Sequence, residues 1–226
     1  MAGLDAAGEP EQRWQSRGAG RKTRSPRVWD VTSDVGRTFA QRERLALCDT
    51  ALDVGPDAPT LCDGWRVSDL VRHLAVRERP WLRLRPPADT SLESWVGLVR
   101  RPPAPLALVS RLDRALNTVE YFVHHEDIRR EQPGWEVRTL DPAAERELWR
   151  SLTLLGRLLV RPAGVPVAIA DGPARATLRG GDWPVTLDGP VSEITLYLFG
   201  RKKVRGLSFD GPANRVAAIK RARFGF

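Results

Sequence analysis

Apolar residues recur at helical spacing up to about residue 160 and in short strand-like runs beyond it, and this change of period limits the folds open to the chain. The spacing predicts helices over 38–53, 66–79, 106–130 and 141–160, with a shorter one over 92–99. Phe39, Leu45, Cys48 and Leu52 mark the first stripe, and Gly55-Pro56 stops it. Val67, Leu70, Val71 and Leu74 mark the second, which Pro80 ends. Val109, Leu112, Leu116, Val119 and Val123 step along the long helix by threes and fours up to Pro133-Gly134. Asp141 is a good N-cap with Pro142 at the first helical position, and Leu148, Leu152, Leu155 and Leu159 follow as a stripe. After residue 163, β-rich runs over 165–169, 176–179, 184–187 and 204–209 alternate with Gly, Asp and Pro. Helices over 191–199 and from Asp210-Gly211-Pro212 to about residue 222 complete the pattern. The expected class is mainly α with a small α+β C-terminal module: four main helices over 37–162, then a short-stranded α/β domain over 163–226. Residues 1–36 are rich in Gly, Ala, Arg and Ser with little periodicity, and are expected to form a disordered extension.

Composition narrows the function classes. Of 226 residues, 42% are hydrophobic and 28% charged, values that suit a folded core. Two cysteines exclude a disulfide framework and a zinc ribbon. No stretch approaches the roughly 20 apolar residues that cross a bilayer, and the N-terminus has no apolar secretory segment, so a cytoplasmic protein is expected. The net charge is +8, and residues 161–226 carry 11 basic against 5 acidic residues, while 37–160 carry 19 against 18. Arg201, Lys202, Lys203, Arg205, Arg215, Lys220, Arg221 and Arg223 could meet nucleic-acid phosphates. No stacking or recognition-helix motif accompanies them, and a solvated basic rim is the plainer reading.

Only three histidines occur, His73, His124 and His125. Glu120 and His124 stand four apart on the long helix and so share a face. Leu116 lies one turn earlier in that row, so the carboxylate points at least partly inward, where an unpaired charge is costly. A divalent metal held by His73, Glu120 and His124 removes that cost, and two imidazoles with one carboxylate are an ordinary set for zinc. Three protein ligands leave a position for water or substrate. Asp69, one turn before His73, or Asp127, three residues after His124, could accept a free imidazole N–H and fix its tautomer. The alternatives stay plain ones: an ion pair for Glu120 and His124, a half-buried histidine at 73, and for His125 a residue that points elsewhere.

The segment Leu61-Cys62-Asp63-Gly64-Trp65, followed by Asp69-Leu70 and His73-Leu74, resembles the first signature of the DinB-like metal-binding bundles. The resemblance is strongest to the mycothiol-dependent maleylpyruvate isomerase type of actinobacteria. The stretch from Leu116 to Asp127 resembles the second signature and is most similar to an uncharacterised metal-binding subgroup. The similarity spans about residues 38–226. It implies a four-helix metal-binding bundle with His73, Glu120 and His124 as the ligands of a divalent ion, usually zinc. Enzymes of the family use a low-molecular-weight thiol such as mycothiol.

The leading expectation is therefore a metal-dependent thiol transferase or isomerase acting on a small electrophile, because a coordinated thiol is deprotonated and a thiolate is the nucleophile. Arg77, one turn after His73, is a candidate to hold a substrate carboxylate. Asp127, or His125, is a candidate proton relay; an ion pair on the helix surface is the simpler role for Arg77 and Asp127. The second expectation is a non-catalytic metal-binding or regulatory module, for which a fourth ligand such as Cys62 would be the mark. Cys62 otherwise reads as a small residue packed beside Trp65, and Cys48 as core. Nucleic-acid binding through 201–223 is the third.

Overall fold

The computed structural model describes residues 36–101 and 110–225. The expected extension lies outside the described residues except for Gly36, and so does the expected start of the long helix at 106. Among the described residues are α1 (Phe39–Val54), α2 (Val67–Glu78), α3 (Leu92–Arg100), α4 (Arg111–Glu131), α5 (Pro142–Leu159), β1 (Val167–Asp171), β2 (Ala174–Arg179), β3 (Val185–Asp188), α6 (Val191–Leu198), β4 (Ser208–Asp210) and α7 (Ala213–Arg221). The chain is mainly helical, with one four-stranded sheet near its C-terminal end. No described helix is long and apolar enough to cross a membrane.

Local chemistry sets the helix starts. Thr38 and Gln41 form a capping box on α1, and Ser110 and Asp113 form another on α4. Asp141 caps α5 by accepting from the N–H groups of Ala143 and Ala144, both at 2.9 Å. At α2 the capping position is Arg66, which offers no side-chain acceptor. Here the N–H groups of Val67 and Ser68 donate instead to the carbonyls of Ala58 and Pro56, and the Arg66 N–H donates to Asp69 Oδ2 at 3.0 Å.

The strands run in the order β2-β1-β3-β4. β1 and β3 are parallel, with Ile169 opposite Leu187, and both outer pairs are antiparallel. The sheet packs against α5, where Gly156 makes room for Leu178 of β2: a Cβ at residue 156 would meet the Leu178 side chain at 2.4 Å. One apolar cluster joins α4 and α5 to the sheet, α6 and α7, and another joins α1, α2 and α3 to Tyr121 and Ile128. The central helix α4 therefore faces neighbours on several sides.

That position explains where the sequence pattern fails. A helix packed all round buries polar residues too, so Thr118, His125, Glu126, Asp127 and Arg130 are all buried on α4. Leu112, expected in its apolar stripe, is half exposed, and Leu116 is only partly buried. On α1 the buried face is Phe39, Glu43, Arg44, Leu47, Cys48 and Ala51, so Leu52 faces solvent. The strand expected over 204–209 shortens to Ser208–Asp210, because the preceding residues turn inward: Lys203 O accepts from Arg130 and the Arg205 N–H donates to Glu193.

The buried charges are paired. Glu43 accepts from His125 Nδ1 at 2.9 Å and from both terminal nitrogens of Arg138 at 2.9 and 2.7 Å. Burial pushes its carboxyl up, but His125 and Arg138 outweigh burial and hold the pKa at about 2. A carboxyl depressed by folding contributes stability that is present above its ordinary pKa of 4.5 and is lost as pH falls through 2. The shift is worth about 3 kcal/mol. Acid melting curves of wild type should therefore fall steeply between pH 4.5 and 2, and Glu43→Gln should flatten that slope. A parallel slope in the variant would assign the acid sensitivity elsewhere.

Candidate metal centre

Residues 58–66 lead into α2 and form one side of the site. The Trp65 N–H donates to the Cys62 carbonyl at 2.9 Å, closing a tight turn in which Gly64 has φ +76°. That left-handed position favours glycine. The Leu61 N–H donates to the Asp127 carbonyl at 3.0 Å and ties the turn to α4. Trp65 packs on the His73 ring with centroids 5.1 Å apart. The Cys62-Asp63-Gly64-Trp65 run thus places an aromatic face over one histidine.

His73 from α2 and Glu120 and His124 from α4 converge. His73 Nε2 and His124 Nε2 each stand 3.4 Å from the same Glu120 Oε1, and one ligand atom from each residue lies within 4.8 Å of the others. Ligand atoms about 2.0–2.1 Å from a tetrahedral zinc stand roughly 3.3–3.4 Å apart, so the two separations from Glu120 Oε1 suit such an ion. Above it is a cavity of about 410 Å³ whose lining includes Cys62, Trp65, His73, Glu120, His124 and Arg201.

His124 is oriented by a second set of groups. Its Nδ1 lies 2.9 Å from Asp127 Oδ2, so an N–H there leaves the Nε2 lone pair facing Glu120 and His73. Asp127 is fully buried. It accepts from Arg201 Nε at 2.8 Å and Nη2 at 2.5 Å, and from the Cys62 thiol at 3.2 Å. Burial would raise the Asp127 pKa, but the hydrogen bonds from Arg201 and His124 hold it below the carboxylate range. Burial would lower the His124 pKa, yet Asp127, Cys62 and Glu120 carry it well above the usual imidazole value. The field that favours a proton on this ring favours a cation beside it. Glu120 is likewise kept ionised against burial by His124, His73 and Arg77.

The other candidates fall as follows. Arg77 donates to Asn117 Oδ1 at 3.0 Å and its Nε lies 3.5 Å from Glu120 Oε1; it supports the carboxylate from behind and is not among the cavity-lining residues. The ion pair suggested for Arg77 and Asp127 is replaced by two separate pairs, Arg77 with Glu120 and Asp127 with Arg201. Asp69 is engaged by the Arg66 N–H at the start of α2. His125 points away from the cavity and lies between Glu43 and Thr50 Oγ1. Cys48 is core. Cys62 lies at the Nδ1 edge of His124, 3.9 Å from that nitrogen, and so on the opposite edge from Nε2.

Arg201 does not belong to the expected basic rim: its guanidinium is mostly buried against Asp127 and the Phe199 carbonyl. Its neighbours stay largely at the surface while making local contacts: Lys203 pairs with Glu131, Arg205 stacks on Trp135, Arg215 donates to the Trp183 carbonyl and Lys220 lies over Phe209.

No family model matches this chain, and no curated protein matches it. Among solved structures, it is similar to the crystal structure of the mycothiol-dependent maleylpyruvate isomerase, with a TM-score of 0.51 and 14% identity over 76% of this chain and 90% of that one. A point mutant of that isomerase is also similar, at a TM-score of 0.49 and 15% identity. At such identity the likeness is one of fold, and it agrees with the family resemblance carried by the two sequence motifs.

Proposed function

We propose that this protein is a metal-dependent enzyme that uses a small thiol of the mycothiol kind to transfer or isomerise an electrophilic substrate. The observation that carries this reading is the convergence of His73 Nε2, His124 Nε2 and Glu120 Oε1 beneath an open cavity. In it α1, α2, α4 and α5 are the four-helix bundle of the family, and His73, Glu120 and His124 hold zinc. When bound, the ion supplies a positive charge that lowers the pKa of a coordinated thiol or water. The protein's own groups do the rest. Asp127 holds the Nδ1 proton of His124, Arg201 holds Asp127, and Trp65 shields His73 from solvent on one face. Arg77 fixes the Glu120 carboxylate. A thiol cosubstrate suits a reducing, cytoplasmic setting, in which Cys48 and Cys62 stay free.

A purely structural site would be closed by a fourth protein ligand. Cys62 is the nearest thiol, but its place at the Nδ1 edge of His124 keeps it off the Nε2 side. This geometry favours the enzymatic reading over a regulatory module. Protein purified with zinc should hold about one equivalent and should catalyse loss of maleylpyruvate only when mycothiol is added. A metal-free wild type would remove the reading, and zinc without any thiol-dependent turnover of electrophiles would restore the non-catalytic alternative.

A further inference from the structure

The cavity wall formed by the end of the described chain is largely backbone. After α7 the chain carries Phe224 and Gly225 across Phe199 and Gly200, and all four residues line the cavity. A Cβ on Gly200 would stand 2.4 Å from the Phe224 carbonyl oxygen, and one on Gly225 would stand 3.0 Å from the Phe199 oxygen. Both glycines have positive φ, +83° and +100°, so space and backbone conformation exclude a side chain at each. The Phe224 ring packs on Tyr197 with centroids 5.5 Å apart and joins the main apolar cluster. The strap is thus pinned by one ring and by one glycine-to-glycine contact.

The remaining walls are held more firmly. Val123, Glu120 and His124 belong to α4, the 61–65 turn is tied to α4 through Asp127, and Arg201 is held by the Asp127 carboxylate. The strap belongs to no helix or strand. We infer that Phe224 and Gly225 form the specificity-determining wall of the cavity, and that their seating on Gly200 sets how bulky a thiol or electrophile reaches the Glu120–His124 floor. The class of ligand rests on the function proposed above; the control of access does not. A methyl group at residue 200 must move the strap, because the contact has to open from 2.4 Å to the 3.4 Å of ordinary packing.

Cys62 reports on this directly, because it lines the same cavity while the other cysteine, Cys48, is buried in the core. The experiment compares alkylation of Cys62 by N-ethylmaleimide and by fluorescein-5-maleimide, using the ratio of rates so that thiol reactivity cancels. The full chain is compared with Phe224→Ala, with Gly200→Ala and with a form lacking residues 223–226. Removing or displacing the strap is expected to raise the bulky-to-small ratio about tenfold, the low end of what one methylene of space is worth to a pocket. Zinc content should be unchanged, since the strap supplies no ligand. A ratio within about twofold of wild type in folded Phe224→Ala overturns the inference, even where the other two variants fail to fold. A wild type that binds no zinc overturns the metal reading instead and leaves the access result standing, so the two failures are separate.

Discussion

Arg130→Met is expected to destabilise the protein by about 3–5 kcal/mol, the usual effect of removing one partner from a buried ion pair. Arg130 is 1% exposed and is the largest fully buried side chain among the described residues. Its Nε donates to Glu126 Oε2 at 2.6 Å, and its terminal nitrogens donate to Glu193 at 2.8 and 2.5 Å and to the Lys203 carbonyl at 2.7 Å. Glu126 would survive the change, because Arg129 and Arg138 also pair with it. Glu193 is fully buried, and its remaining strong donor would be the Arg205 N–H at 2.9 Å. A carboxylate left there with one backbone donor is the source of the loss, since methionine restores volume but no charge. The loss is a large fraction of the 5–15 kcal/mol, roughly, that separates folded from unfolded states.

The double variant Arg130→Met/Glu193→Met should regain much of that stability, because replacing a whole buried pair with apolar groups is often close to neutral. Denaturant melts of both single variants and the double variant give the coupling energy directly. An Arg130→Met loss below about 1 kcal/mol, the level of an exposed pair, would mean that the network is hydrated in solution. The network also has a positional role. It links Glu43 of α1, through Arg138 and then Glu126 and Arg130 of α4, to Glu193 of α6 and the backbone of residues 203 and 205. Arg201 leaves that same stretch of chain for Asp127. The charges that stabilise the fold thus also help to place Arg201, which holds the Asp127 carboxylate against His124.

The sequence carries the outline of this arrangement through its punctuation. Gly55-Pro56, Pro80, Pro133-Gly134 and Asp141-Pro142 mark helix ends that fall within a residue or two of the observed ones, whereas α4 begins at Arg111 behind the extended Ser110 cap, five residues after the expected start at 106. The candidate ligand set is legible for a local reason: Glu120 and His124 stand one turn apart on a single helix, and His73 follows a glycine turn with its own signature. The buried charges were not, because periodicity equates burial with apolar character. Glu43 and Arg44 lie on the buried face of α1, outside the stripe of Phe39, Leu45, Cys48 and Leu52 that the spacing marks. Arg201 could not be found by any local pattern, since it meets Asp127 across 74 positions of sequence.

His124→Ala is expected to abolish stable metal binding. The loss of an outer-shell partner of a metal-bound histidine costs about 10–100-fold in affinity, and the loss of the ligand itself must cost more. Asp127→Asn supplies the intermediate step. Its amide can still meet the His124 Nδ1–H through oxygen, but it withdraws the negative charge that Arg201 and His124 share, so zinc affinity should fall by about 10–100-fold with the ligands intact. Binding should also release a proton, because the carboxylates that raise the His124 pKa keep a proton on the ring until a cation replaces it. Affinity should accordingly rise with pH through the range in which His124 deprotonates, and that range should move to lower pH in Asp127→Asn, which lacks the charge that most raises the His124 pKa. Competition with a chromogenic chelator measures all three quantities, and thermal melts of the metal-free variants show whether they are folded. Full zinc occupancy in a folded His124→Ala protein would overturn the assignment. His73 and Glu120 offer only two ligands among the described residues of this cluster, and the thiol of Cys62 faces the vacated ring from its other edge.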